Sequence, residues 1–168
     1  MDEAWKEFGR LDVVVNNAGG QFASPAIDLK PKGWRAVIDT NLNGTWYMMQ
    51  AAAQRWRKHK QPGNVVNVVA VVWRGLPHVA HTCAARAGVI YLTKTVAVEW
   101  APHRIRVNCL APGTIKTDAF NFYSAAGQAS FEQANPMKHA GEPSDISEAI
   151  TYLASDASKY ITGEVLTV

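Results

Sequence analysis

Four short, largely apolar runs limit this chain more than any other feature of its sequence. They are Leu11-Asp12-Val13-Val14-Val15-Asn16-Asn17, Asn64-Val65-Val66-Asn67-Val68-Val69-Ala70, Arg104-Ile105-Arg106-Val107-Asn108-Cys109-Leu110 and Gly163-Glu164-Val165-Leu166-Thr167-Val168. A strand with one wet face alternates apolar and polar side chains, whereas these read as strands buried on both faces. Burial on both faces requires helices above and below the sheet, and the chain supplies them between the strands. One helical pattern runs from about Pro31 to His59, with Pro31 in the first turn, where a missing N–H costs nothing. A second runs from about Val79 to Trp100, with Val89, Leu92, Val96 and Trp100 on one stripe. A third is expected to start at Ser144 as N-cap, with Ile146, Ala149, Ile150, Leu153 and Ala154 as its apolar face. The order βαβαβαβ predicts an α/β fold with a parallel sheet of about four strands and right-handed crossovers. Ligands of such sheets bind beyond the carboxyl ends of the strands, so the loops after Asn17, Ala70 and Leu110 mark the functional edge.

Composition narrows the remaining classes. With 168 residues, 48% of them apolar and 18% charged, the chain is one ordinary globular domain, neither disordered nor collagen-like. A net charge of +3 is too weak a field to argue for nucleic acid. The basic run Arg55-Trp56-Arg57-Lys58-His59-Lys60 ends a predicted helix, where cations suit the dipole. No apolar run is long enough to span a membrane, and MDEAWKEFGR does not read as a targeting peptide. Cys83 and Cys109 sit amid apolar sequence, the usage of a reducing compartment, so a cytoplasmic location is expected. His81-Thr82-Cys83 has no second cluster at ligand spacing, so no metal is expected. The six tryptophans read as packing or interface residues.

No G-x-G-x-x-G follows any of the strands, so the residues alone do not establish a dinucleotide site. Four segments in register do carry a resemblance: Asn16-Asn17-Ala18-Gly19; Asn41-Leu42-Asn43-Gly44-Thr45; Arg104-Ile105-Arg106-Val107-Asn108 with Ala111-Pro112-Gly113-Thr114; and Ile161-Thr162-Gly163. Together they resemble the short-chain dehydrogenase/reductase family over nearly the whole chain. The stretches Asn17–Ala26 and Ala84–Val89 look most like its citronellol/citronellal dehydrogenase and trans-2-enoyl-CoA reductase branches. The resemblance implies a doubly wound, Rossmann-like sheet, and NAD or NADP as hydride carrier for an enoyl-CoA-like substrate or a terpenoid alcohol or aldehyde. It implies small-molecule substrates and a homo-oligomer, dimer or tetramer, paired through the two long helices. It also implies that residues 1–168 are the C-terminal part of one such domain, lacking its first three strands.

Residue by residue, the resemblance assigns catalysis to Asn41, Thr82 and Arg86. It assigns cofactor contact to Asn16, Asn17, Ala18, Gly19, Arg86, Pro112, Gly113, Thr114, Ile115 and Thr117. Thr82 and Arg86 stand where the family carries a Tyr and a Lys four residues apart, and the family's Ser falls at Val69 or Ala70. The aliphatic hydroxyl of Thr82 does not titrate near neutrality, and arginine keeps a positive charge without being a lysine. Tyr91, nine residues beyond Thr82, lies half a turn round the helix and faces away. His78 and His81 precede the helix near the functional edge and are weighed as proton carriers against plain loop residues. The departures leave a second expectation open, a catalytically inactive fragment acting as a dimerisation or binding module.

Overall fold

The computed structural model describes residues 1–118, 120 and 124–168. Strands β1 (Val13–Asn16), β2 (Gly63–Val68), β3 (Ile105–Ala111) and β4 (Val165–Thr167) form one sheet in the order β1-β2-β3-β4. Every pairing is parallel, with Val14 beside Val65, Val65 beside Val107 and Cys109 beside Val165. Strands β1, β2 and β4 are one to three residues shorter than their apolar runs, and β3 equals its run in length but lies one residue later. The ends of those runs leave the ladder to form the connecting loops.

The helices are α1 (Asp2–Phe8), α2 (Pro31–Ile38), α3 (Thr45–Lys58), α4 (Ala80–Trp100), α5 (Ala125–Ala134) and α6 (Pro143–Ala154). The single helix expected over 31–59 is interrupted by a π-helical segment, Asp39–Gly44. Asn41, Asn43 and Gly44 are poor helix-interior residues, and a π turn is a local insertion that such sequence tolerates. Helix α6 starts earlier than the expected Ser144 cap. Pro143 takes the first position, and the Asp145 carboxylate accepts the Glu142 N–H at 2.7 Å. Helix α5 lies in a stretch with no diagnostic pattern.

One face of the sheet is packed by α3 and α4. Met49, Trp56, Val96 and Ala97 close on Val14, Val65, Ile105 and Val107. Trp56 is fully buried, and its indole N–H donates to Leu11 O at 2.7 Å. Gly63 opens β2 directly beneath that ring, where a Cβ would stand 2.2 Å from ring carbons. The other face is packed by α6, whose Leu153, Ile146 and Ile150 cover Val66 and Leu110. Arg106 reaches the carboxyl end of α6, donating to Leu153 O at 3.2 Å and Ser155 O at 3.1 Å, which complements the helix dipole.

The two layers correct the expectation of uniformly right-handed crossovers. The chain steps the same way across the sheet from β1 to β4, yet α3 and α4 lie on one face and α6 on the other. The β3–β4 crossover therefore has the opposite hand to the two before it. Its connection is long and carries α5, which frees it from the tight geometry that fixes the hand of short crossovers. Over β1, Val13 and Val15 are 36% and 41% exposed, because α6 does not extend that far. Among the described residues no helix is long and apolar enough to cross a membrane.

Candidate functional site

The carboxyl edge of the sheet gathers part of the expected set. Asn41 lies in the π segment, 1% exposed, with its side chain turned to the loop after β1. Its Oδ1 accepts the Gly20 N–H at 2.9 Å, and its Nδ2 donates to Gly20 O at 2.9 Å. Both hydrogen-bonding ends of the amide are thus spent on one glycine, and the π turn is what lets a helix residue face that loop. One backbone turn further, Thr45 Oγ1 donates to Asn41 O at 3.0 Å, closing the widened segment.

Arg86 meets the same loop from α4. Its Nη1 donates to Val68 O, at the end of β2, at 2.7 Å. Its Nη2 lies against Gly19 so closely that a Cβ there would stand 2.2 Å from it, and 3.0 Å from Asn41 Oδ1. Gly19 is therefore the residue that allows backbone, guanidinium and carboxamide to converge. Burial lowers the Arg86 pKa and the nearby Cys109 opposes that shift, while the guanidinium stays protonated in any case. Burial pushes the Cys109 thiol up to about 11, so it is a packed thiol at neutral pH.

Thr82, one turn before Arg86, is 4% exposed. Its amide donates to His81 Nδ1 at 2.7 Å, and its hydroxyl lies 3.3 Å from the same nitrogen. His81 is not a loop residue: it is fully buried in the first turn of α4, with Phe22 packed edge-on at 4.6 Å between ring centroids. His78 is exposed, at a positive φ of 65°, and its carbonyl accepts the Ser24 N–H at 2.8 Å. Tyr91 is 71% exposed and stands away from the site.

The remaining expected residues divide. The Asn16 side chain is buried in the sheet, donating to Asn67 Oδ1 at 2.8 Å. Asn67 in turn donates to Thr93 Oγ1 at 2.9 Å. That polar chain ties β1 to β2 and α4, so the Asn16 side chain is committed to the fold rather than turned to the edge. Asn17 and Ala18 are exposed where β1 ends. Pro112, Gly113, Thr114, Ile115 and Thr117 leave the same edge after β3 and are held by backbone bonds. Gly113 N–H donates to Val168 O at 2.7 Å, Gly141 N–H to Thr114 O at 2.9 Å and Thr117 N–H to Ile115 O at 2.9 Å. Ile115 also bridges to Gly141.

Sequence reasoning missed Phe22 and Gly33. The Phe22 ring is wedged between α4 and α2, where a Cβ on Gly33 would stand 2.6 Å from its Cζ. A glycine in the first turn of a helix was the available signal, since it marks close approach by something large. The wide cleft at the opposite edge, lined by Arg10, Arg104, Arg106 and Tyr160, contains none of the expected residues. Chemically, the carboxyl edge offers a fixed cation, a buried carboxamide, two hydroxyls after β3 and an open glycine loop. Such a set suits a ligand carrying hydroxyls and a carbonyl.

Comparison with known proteins agrees with this geometry. A family model described as enoyl-(acyl carrier protein) reductase matches residues 1–168. A probable 2,4-dienoyl-CoA reductase of Bacillus subtilis is 42% identical, covering all of this chain and 68% of its own length. A crystal structure of a short chain dehydrogenase from Bacillus anthracis superposes with a TM-score of 0.89 at 40% identity, over 99% of this chain and 66% of that one. The structure of ElxO with NADP bound superposes with a TM-score of 0.92 at 33% identity, over 99% and 69% of the two chains. The chain thus spans about two thirds of the length of the proteins it resembles.

Proposed function

Because the chain belongs to the short-chain dehydrogenase/reductase family of oxidoreductases, we propose that its carboxyl-edge site takes NAD or NADP and serves hydride transfer to an enoyl thioester. The observation that carries this reading is the convergence of Arg86, Gly19 and Asn41 on one loop. Arg86 is a donor array beside an open glycine, and Thr114 and Thr117 add hydroxyls two strands away. These groups fit the ribose hydroxyls and carboxamide of a nicotinamide riboside. The diphosphate has no comparable cradle among the described residues, and the sequence contains no G-x-G-x-x-G. When bound, the nicotinamide would supply the hydride.

The chain's own residues bind and orient rather than titrate. Arg86 holds its charge and cannot act as the acid. Thr82 cannot replace a phenol, so water supplies the proton that completes the reduction. Asn41 keeps the Gly19-Gly20 loop in one place, which fixes the wall against which a planar ring would lie. The enoyl thioester is preferred over the terpenoid substrate because the Bacillus subtilis relative is named for dienoyl-CoA reduction. Crotonyl-CoA and 2,4-hexadienoyl-CoA, each with NADH or NADPH, test the proposal by loss of absorbance at the reduced nicotinamide band. Turnover with either is expected, and failure of all four combinations in a folded chain rules the reading out.

A second reading, a non-catalytic dimerisation module, draws support from Thr82 and Arg86 at the acid–base positions and from exposed apolar residues on the long helices. Tyr47 and Met48 of α3 and Tyr91 and Val98 of α4 are 63%, 43%, 71% and 77% exposed. A stable dimer without turnover supports it, and turnover rules it out.

A further inference from the structure

His81 is a buried imidazole whose hydrogen bonds do not close within the described residues. The Thr82 N–H donates to Nδ1 at 2.7 Å, so that nitrogen presents its lone pair and the neutral ring carries its proton on Nε2. Nε2 is buried and has no hydrogen-bond partner. Leaving such a donor unpaired forfeits its hydration with nothing in return, so an orphan of this kind calls for an acceptor that arrives later. What packs on the ring is Phe22, near-perpendicular at 70°. Phe22 belongs to the same loop as Gly19 and Gly20, and it is 43% exposed, so its ring can swing outward without unpacking the core.

Resting on the enoyl-thioester reading above, we propose that His81 Nε2–H is the hydrogen-bond donor to the carbonyl oxygen of the substrate, which reaches it by displacing the Phe22 ring. The chemistry gives this donor a use. A bound reduced nicotinamide would supply hydride, and the substrate's acceptor is a carbon conjugated with the thioester carbonyl. The alkene electron pair shifts toward that carbonyl, and its π electrons move onto oxygen, giving an enolate. His81 stabilises the oxyanion by a fixed hydrogen bond and keeps its own proton. A proton from water then adds to the α-carbon and restores the C=O bond. A donor held in a dry site before the charge develops is the arrangement that stabilises such oxyanions. His81 fills the place left by the missing phenol without acting as an acid.

The test uses the 168-residue chain and needs no nicotinamide. Long-range proton–nitrogen NMR should show His81 as the Nε2–H tautomer. Isotope-edited infrared spectroscopy of crotonyl-CoA labelled with carbon-13 at its carbonyl should show the stretch moved to lower frequency on binding. His81→Phe should return the band to its free position, and His81→Gln, which retains a donor, should recover part of the shift. Phe22→Ala, with no ring to displace, should bind crotonyl-CoA several-fold more tightly. The Nδ1–H tautomer, a carbonyl shift unchanged in His81→Phe, or no binding of crotonyl-CoA overturns the proposal. If the shift follows His81 while NADH and NADPH fail to bind, the donor assignment stands and the nicotinamide reading falls.

Discussion

Gly33→Ala sets two ordinary effects against each other. Replacing a helical glycine by alanine normally stabilises by up to about 1 kcal/mol. Here the new Cβ would stand 2.6 Å from Phe22 Cζ, inside any allowed contact, so the ring must leave its slot. Phe22 is 43% exposed, so its eviction forfeits a little over half of a full side-chain burial, about 1–1.5 kcal/mol. It also forfeits the edge-on contact with His81, worth about 0.5–1.5 kcal/mol. The losses outweigh the gain, and the variant should be less stable by about 0.5–2 kcal/mol. At about 2–4 °C per kcal/mol for a chain of this size, the midpoint should fall by a few degrees. The decisive comparison is the same substitution in a Phe22→Ala background. With the ring gone, only the propensity effect remains, so Gly33→Ala should there raise the midpoint. Thermal unfolding by circular dichroism of the four proteins gives the cycle. A stabilising Gly33→Ala in the wild-type background would refute the reasoning, because it would mean that the ring neither fills that slot nor holds the loop.

Three further outcomes follow from other residues. Asn41→Ala removes two hydrogen bonds to Gly20 and should cost about 1–2 kcal/mol, since exposed Gly20 regains water. Hydrogen exchange at the Gly20 amide should accelerate, and an unchanged rate would contradict the assignment. Cys109 keeps its thiol proton to about 11 in the fold against an ordinary 9.0, so its contribution to stability is complete below pH 9 and is lost as the pH climbs toward 11. Urea unfolding between those limits should show this decline in wild type and a shallower one in Cys109→Ala, and parallel slopes would count against it. Val13→Lys with Val15→Lys should raise solubility at a modest cost in stability, because both residues are partly exposed on the edge strand. Light scattering showing equal association in both proteins would refute the edge as its cause.

Much of the fold was legible because the sheet and its main helices rest on local pattern. Apolar strand runs and the stripe Val89, Leu92, Val96 and Trp100 state their partners' faces directly. The hand of the β3–β4 crossover was not, since the face on which α6 lands depends on the path of a long connection. The π segment was half legible: Asn41, Asn43 and Gly44 advertised a broken rule, while its geometry came only with Gly20 as partner. The resemblance singled out Arg86, and the structure brings it against Gly19 at the carboxyl edge. Asn16 was not separable from its neighbours, because β1 turns it inward to Asn67, and one-residue alternation decides that. Phe22, Gly33 and His81 meet from three separate elements, so no local signal joined them.

The most direct test of the nicotinamide site is fluorescence titration of NADH and NADPH into the folded 168-residue chain, beside Arg86→Met. Arg86→Met removes the donor array at Gly19 while keeping the length of the side chain. Saturable binding of at least one nucleotide, weakened at least about tenfold in Arg86→Met, is the expected result, tenfold being about 1.4 kcal/mol for one lost charge-assisted contact. No binding to a chain shown folded by circular dichroism, or equal binding by both proteins, would contradict it.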